Sequence, residues 1–292
     1  MTGTVAAPAA VAETGLGAPL VLDVAADLDH EAGPRLDSGW APERAAVVAS
    51  WSARPEASRS LRRLVAELSR AGFEVLLVRA VDGPGVLDWG AAGLPAGVTV
   101  VRRPNVGYDF GSWCAALASF PGVTKADRLL LVNDSFLGPF APLQNVLQHF
   151  DESPVDVWGL ASSAQIGFHL QSHMIGFRNA VLADPGPQRF WRGIRVQPSK
   201  PEMIAAYEVG QTTMLRSESY SIMAEFPYQW IEPVGCNVTV EGWDQLLDRG
   251  FPFVKRELVK EPFIQTGIMR IERDAVVARA AQQFGVDLYE WT

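Results

Sequence analysis

Apolar and polar positions in this chain alternate between two periods. Residues 44–52 (RAAVVASWS) form a short apolar run that ends in small polar residues, the pattern of a strand. Residues 56–71 place Leu61, Leu64, Val65 and Leu68 at helical spacing, and Gly72 stands where a C-cap is needed. Residues 73–81 (FEVLLVRAV) return to a strand pattern. Strand, helix and strand with short joints make a βαβ unit, which implies a parallel pair. Residues 82–97 are rich in Gly and Pro and read as loop; 98–102 read as a third strand and 112–119 as a helix. The run Leu129, Leu130, Leu131, Val132 is wholly apolar, as expected of a strand buried on both faces of a parallel sheet.

The second half is less regular. Residues 155–161 read as a short strand. Residues 169–177 (HLQSHMIGF) alternate, which puts His169, Gln171 and His173 on one face and Leu170, Ser172 and Met174 on the other. A helical turn at 188–194 is anchored by Phe190 and Trp191. Residues 201–217 predict a longer helix, with Pro201 in its first turn. A last helix is expected over 274–284. The periodicity divides the chain into a loosely ordered or disordered start (1–42, with one short strand at 20–24), a body at 43–260 and a helical tail at 261–292. The fold class is α/β, a Rossmann-type sheet flanked by helices in a single domain.

Composition narrows the function classes. A chain of 292 residues, 48% hydrophobic, is long enough for one large core. Its formal charge of −8 argues against nucleic acid as partner and leaves room for a local basic pocket. With Cys114 and Cys236 its only cysteines, a disulfide framework is not expected. No apolar run reaches the ~18 residues of a membrane span. The N-terminus lacks the pattern of a secretory signal. A cytoplasmic protein is expected, with peripheral association at the inner membrane face arising through its substrate.

Four clusters carry candidate chemistry. In residues 102–113 (RRPNVGYDFGSW), Arg102 and Arg103 end a strand and Asn105, Gly107, Tyr108 and Asp109 lead towards a helix. A helix start offers free N–H groups to an anion such as a diphosphate. Asp109 suits a cap or a sugar hydroxyl, and an ordinary strand-to-helix loop explains the spacing equally. Asn133, Asp134 and Ser135 follow the buried strand, where α/β sheets place ligands; the same residues also form turns. A Mg²⁺ or Mn²⁺ bound to a nucleotide takes one or two carboxylates plus phosphate oxygens, and Asp134 is the acid available here. His169 and His173 on one strand face lie ~13 Å apart, too far to share a metal. That face reads either as a polyol-binding surface or as a solvated edge. Glu208, beside Gly210 in the long helix, is a candidate general base or a surface glutamate.

In this order the segments NVGYDFGSW, LLLVNDSFLGPFAPL, DVWGLASS, HLQSHMIGF, Phe190-Trp191, AYEVGQTTML and PFVKREL resemble the rhamnan synthesis protein F family of polysaccharide-assembly proteins, regarded as glycosyltransferases. The resemblance implies a GT-A-like domain, a nucleotide-sugar donor, with dTDP-rhamnose expected, and a hydroxyl acceptor on a cell-surface or lipid-linked glycan. One departure is visible. The metal-binding Asp-x-Asp of GT-A enzymes is replaced by Asn133-Asp134-Ser135, so metal dependence is left open. On this reading Asn105, Gly107, Tyr108, Asp109, Arg102, Arg103, Asn133, Ser135 and Lys255 bind the donor. Asp134 is the metal ligand. Glu208 is the first choice of base and His169 the second, while Gln171, His173 and Trp158 bind the acceptor or the sugar. The competing readings are a non-catalytic glycan-binding module of the same fold and a sugar-phosphate nucleotidyltransferase. The second expects a Gly- and Lys-rich phosphate loop, and the segment RAAVVASWSARPEAS has no glycine.

Overall fold

A computed structural model describes residues 17–292 apart from Pro84. The strands used below, in chain order, are β1 (Asp29–Ala32), β2 (Arg44–Trp51), β3 (Glu74–Ala80), β4 (Val98–Arg103), β5 (Arg128–Asn133), β6 (Phe136–Leu137), β7 (Val157–Ser163), β8 (His169–Leu170), β9 (Met174–Arg178), β10 (Ile222–Phe226) and β11 (Val254–Lys255). The helices used below are α1 (Val21–Val24), α2 (Arg59–Arg70), α3 (Tyr108–Ser119), α4 (Gln144–Glu152), α5 (Pro185–Arg192), α6 (Lys200–Met203) and α7 (Gly210–Ser217). The central nine-stranded sheet runs β1-β4-β3-β2-β5-β9-β7-β10, with β8 attached to β7. Strands β4, β3, β2 and β5 are parallel, β9 is antiparallel to both β5 and β7, and β10 is parallel to β7.

The apolar runs are explained by burial on both faces. Val48, Val75, Leu77, Leu130 and Val132 pack with Leu61, Leu64, Val65 and Leu68 of α2. Their alternates Ala45, Val47, Leu76, Leu129 and Leu131 pack with Phe110, Trp113 and Leu117 of α3 and with Trp191 of α5. The chain steps outward from β2 to β3 and β4, then returns to β5 on the other side of β2. That reversal opens a crevice at the carboxyl ends of β2 and β5, the topological switch point where doubly wound sheets bind ligands. Trp113 spans it from below, its indole N–H pointing at the carbonyls of Val47 (3.1 Å) and Val132 (3.2 Å).

Several expected elements differ. Residues 20–24, expected as a strand, form the turn of α1, pinned by Val21 N–H donating to the Ile194 carbonyl. The segment expected to be loosely ordered also supplies edge strand β1, antiparallel to β4; its first 16 residues lie outside the described ones. The strand expected at 169–177 is interrupted. β8 and β9 both pair with β7, and Gln171, Ser172 and His173 bulge between them. The helix expected at 201–217 is continuous but contains a π-helical turn, Ile204–Val209, between α6 and α7. Such insertions turn side chains out of α-helical phase and recur at functional sites.

Candidate functional site

A cavity of about 650 Å³ opens at the switch point. Ser50 and Trp51 end β2, and Asp134 and Ser135 follow β5. Asn105 comes from the loop before α3, Tyr108, Asp109 and Ser112 from its start, and Lys200 and Met203 from α6. The PFVKREL segment contributes Lys255, Arg256 and Glu257, with Lys260 just beyond. Residues 254–255 reach the site because β11 pairs antiparallel with β6, setting Lys255 opposite Phe136.

The two carboxylates are held from beneath. Asp134 accepts from the Ser50 hydroxyl at 2.6 Å, and its main-chain carbonyl accepts from Arg256 Nε (3.3 Å) and Nη2 (3.2 Å). Asp109 Oδ2 accepts from Asn133 Nδ2 at 2.9 Å. Asn133 is buried and also accepts, through Oδ1, from the backbone N–H of Ser135 (3.1 Å) and its hydroxyl (2.5 Å). Desolvation, with the neighbouring charge of Asp134, pushes the Asp109 carboxyl up to about 7. Desolvation raises Asp134 as well, opposed by Arg256 and the Ser50 bond. Perturbed acids facing a cleft make this cavity the candidate site.

The start of α3 is shaped by backbone constraint. Gly107 caps it at φ +80°, and a Cβ there would come within 2.7 Å of Val21. A Cβ on Gly111 would lie 2.3 Å from the Val106 carbonyl. Tyr108 itself sits at φ +54°, a strained conformation for a side-chain-bearing residue, and it lines the cavity. Trp51 stands at the mouth, 53% exposed.

Of the residues singled out in the sequence, Asn105, Tyr108, Asp109, Asp134, Ser135 and Lys255 meet around this cavity. Asn133 supports it through Asp109, and Gly107 shapes its helix. The others stand elsewhere. Arg103 is buried and donates to the carbonyls of Val106 (2.9 Å) and Ala25 (2.9 Å), bracing the loop rather than facing a ligand. Arg102 pairs with Asp29 of β1 at 3.6 Å. Glu208 lies in the π turn, buried, and accepts from the Ser172 N–H at 2.5 Å, so it anchors the bulge between β8 and β9. His169, Gln171 and His173 are all buried, neither a solvated edge nor an open polyol surface. His169 Nδ1 bonds the Gly167 carbonyl (2.8 Å), and Gln171 donates to Asn237 (3.3 Å) and Thr239 (3.2 Å). His173 stacks on Phe136 with centroids 4.0 Å apart, and burial pushes it down to about 3. Trp158 is fully buried against Phe150 and offers no face to a sugar.

Sequence reasoning missed Ser50, Trp51, Lys200, Arg256 and Lys260. The signal for the first two was present: β2, like β5, is an apolar run ending in polar residues, and the strand-end rule applies to both. Arg256 adjoins Lys255 in the same string.

For the divalent cation expected at Asp134 the cavity offers the carboxylates of Asp134 and Asp109. Asp134 accepts from Ser50 and from the Trp51 N–H, and Asp109 accepts from Asn133. Among the described residues no group of three or more His, Cys, Asp and Glu side chains converges as metal ligands do. The same cavity instead gathers Lys200, Lys255, Arg256 and Lys260. Nor does any helix among the described residues have the length and apolarity to cross a membrane.

The chain is similar to several known proteins. Virulence protein VirA of Vibrio anguillarum is 30% identical over 193 residues, covering 55% of this chain and 62% of that protein. An uncharacterized protein, y4gN, of Sinorhizobium fredii is 25% identical over 154 residues, covering 51% of this chain and 40% of that protein. These matches thus span less than two thirds of either relative's length. A solved chain described as a nucleotide-diphospho-sugar transferase of Desulfovibrio desulfuricans G20 aligns over 74% of this chain and 97% of its own. Its TM-score is 0.39 and its identity 10%, too loose to add to the topology described above. The sequence profile of rhamnan synthesis protein F matches residues 97–281, more than half of the chain, and takes in β4, the start of α3, the Asn133-Asp134-Ser135 turn and the PFVKREL segment. The chain belongs to the rhamnan synthesis protein F family.

Proposed function

We propose that this chain is a GT-A-like glycosyltransferase domain. It transfers a sugar, rhamnose or a related deoxyhexose, from a nucleotide-sugar donor such as dTDP-rhamnose to a hydroxyl of a cell-surface or lipid-linked glycan. It works in the cytoplasm, with any membrane association arising through the acceptor. The family supports the sugar chemistry. The observation that carries the reading is the convergence of two perturbed carboxylates and a set of basic side chains in one cavity at the switch point.

The reaction needs charge and proton control at one carbon. The acceptor oxygen bonds to the donor's anomeric carbon as the bond from that carbon to the diphosphate oxygen breaks. The bonding pair leaves with the diphosphate, and the acceptor proton passes to a base. Asp109 fits that role better than Glu208 or His169. It faces the cavity, and burial raises its pKa to about 7, which suits it to take up and release a proton near neutral pH. Glu208 instead holds Ser172, and His169 is buried on Gly167. Asp134, fixed by Ser50, is placed to accept from a sugar hydroxyl. Trp51 and Tyr108 offer ring faces at the mouth, Tyr108 40% exposed. Such faces stack on a base or a sugar.

The test is donor turnover with a panel of nucleotide sugars, reading release of free nucleoside diphosphate, with and without glycan acceptors. The reading expects one donor to turn over, and Asp109→Asn or Asp134→Ala to abolish it in a folded protein. Absence of turnover for every donor, or release of pyrophosphate from a nucleoside triphosphate instead, overturns it.

A further inference from the structure

We infer that the donor's diphosphate is held by a clamp of side-chain cations, Lys200, Lys255, Arg256 and Lys260, which takes the place of a divalent metal ion. The inference rests on the nucleotide-sugar reading above and assigns the part of the cavity that receives the leaving group.

The four cations come from two stretches far apart in sequence, the start of α6 and residues 255–260, and they line the same cavity. Arg256 has Asp134 as its neighbouring charge, but Lys200 and Lys255 are compensated less fully. Lys255 Nζ lies 3.4 Å from Glu257 Oε1 and Lys200 Nζ 3.8 Å from Glu257 Oε2, so two ammonium groups share one carboxylate. The Lys255 side chain is only 16% exposed. Its burial disfavours the charged ammonium and depresses its pKa, an effect Glu257 offsets only in part. A partly buried cation with a shared counter-ion gains more from an incoming anion than a solvated one does. Arg256 is fixed in place twice, by its guanidinium on the Asp134 carbonyl and by its backbone N–H on the Ser135 carbonyl at 2.9 Å. It is therefore preorganised beside the turn that follows β5.

The chemistry matches what a diphosphate leaving group requires. In the intact donor both phosphates are esterified. When the bond to the sugar breaks, an extra negative charge appears on the terminal phosphate. Fixed cations around that position stabilise the departing group more than the bound donor, which is the differential stabilisation catalysis needs. A divalent ion does the same work in other sites, but it needs free carboxylate lone pairs. Here Asp134 gives part of its capacity to Ser50 and the Trp51 N–H and Asp109 part of its own to Asn133, while four side-chain cations line the same cavity.

Calorimetric titration of the full chain with dTDP, UDP and dTMP, in EDTA and then in excess Mn²⁺, tests the clamp. It expects a diphosphate to bind in EDTA with a Kd within about threefold of that in Mn²⁺. It also expects affinity to fall with ionic strength, because exposed charges are screened. Lys200→Met, at an exposed position, and Lys255→Met should each weaken diphosphate binding by about tenfold while changing dTMP binding little, and Lys255→Arg should recover part of the loss. If Lys255→Met does not fold, Lys200→Met decides alone. Binding that requires Mn²⁺, variants that bind like the parent, or dTMP binding as tightly as dTDP overturns the clamp and leaves the nucleotide-sugar reading standing. Failure of both diphosphates to bind in either condition overturns the clamp together with the reading it rests on.

Discussion

Replacing Asp109 by Asn separates stability from activity in a way that few other interpretations of this residue allow. The Asp109 carboxyl is raised from 3.8 to about 7, first by desolvation and then by the charge of Asp134. A raised acid binds its proton more tightly in the folded chain than in the unfolded one. Its contribution is therefore full below pH 4 and is lost as pH rises from about 4 to about 7. A shift of about three units, at ~1.4 kcal/mol each, sets a ceiling of about 4 kcal/mol above pH 7. Asp109 is half-buried at the edge of an open cavity, and solvent screening brings the expected loss nearer about 2 kcal/mol. Asparagine carries no charge, and its amide oxygen still accepts from Asn133. Asp109→Asn should therefore unfold at higher denaturant than the parent at pH 8, by about 2 kcal/mol, and match it near pH 4. The same variant should have no transfer activity. Urea denaturation of both proteins at the two pH values reads the difference. Equal stability at pH 8, or a parent whose stability does not fall between pH 4 and 7, would refute the burial argument for Asp109.

Other perturbations probe the supports of the site. Trp113→Phe removes the indole N–H that faces the Val47 and Val132 carbonyls, and should lower stability by ~1–3 kcal/mol in urea unfolding. Glu208→Leu leaves the half-buried Ser172 N–H without its acceptor and should cost about 1–2 kcal/mol, whereas Glu208→Gln keeps an acceptor and should stay near the parent in both stability and turnover. A Glu208→Gln protein that is fully stable yet inactive would restore Glu208 as the base. His173, pushed down to about 3 by burial, should stay neutral in an NMR titration down to pH 4, while His149, exposed beside Glu225, titrates above its ordinary value.

The strands that build the crevice were readable because β2, β3 and β5 are covered on both faces, which leaves uninterrupted apolar runs. Edge strands β1 (DHEA) and β10 (IMAEF) were not, since each has a half-covered, polar-containing sequence and pairs along one side. Alternation in HLQSHMIGF continues through the bulge at residues 171–173, so period alone gave no hint of the break. What holds the bulge is Glu208, a contact 36 positions away in sequence. The same alternation misplaced the histidines, because a polar face implies solvent only when nothing packs over it. Phe136 and Phe253 pack on His173. Asp109 and Asp134 were legible from their places at a helix start and a strand end. Lys200 and Arg256 became functional candidates only once the β6–β11 pairing and the path of α6 brought them to the same cavity.

The central claim is that the crevice between the ends of β2 and β5 receives a nucleoside diphosphate. A crystal of this chain soaked with dTDP measures it directly. The account predicts phosphate density among Lys200, Lys255 and Arg256, with Asp109 and Asp134 facing the side where the sugar would lie. Nucleotide density at any other surface, with this cavity unchanged, would contradict it.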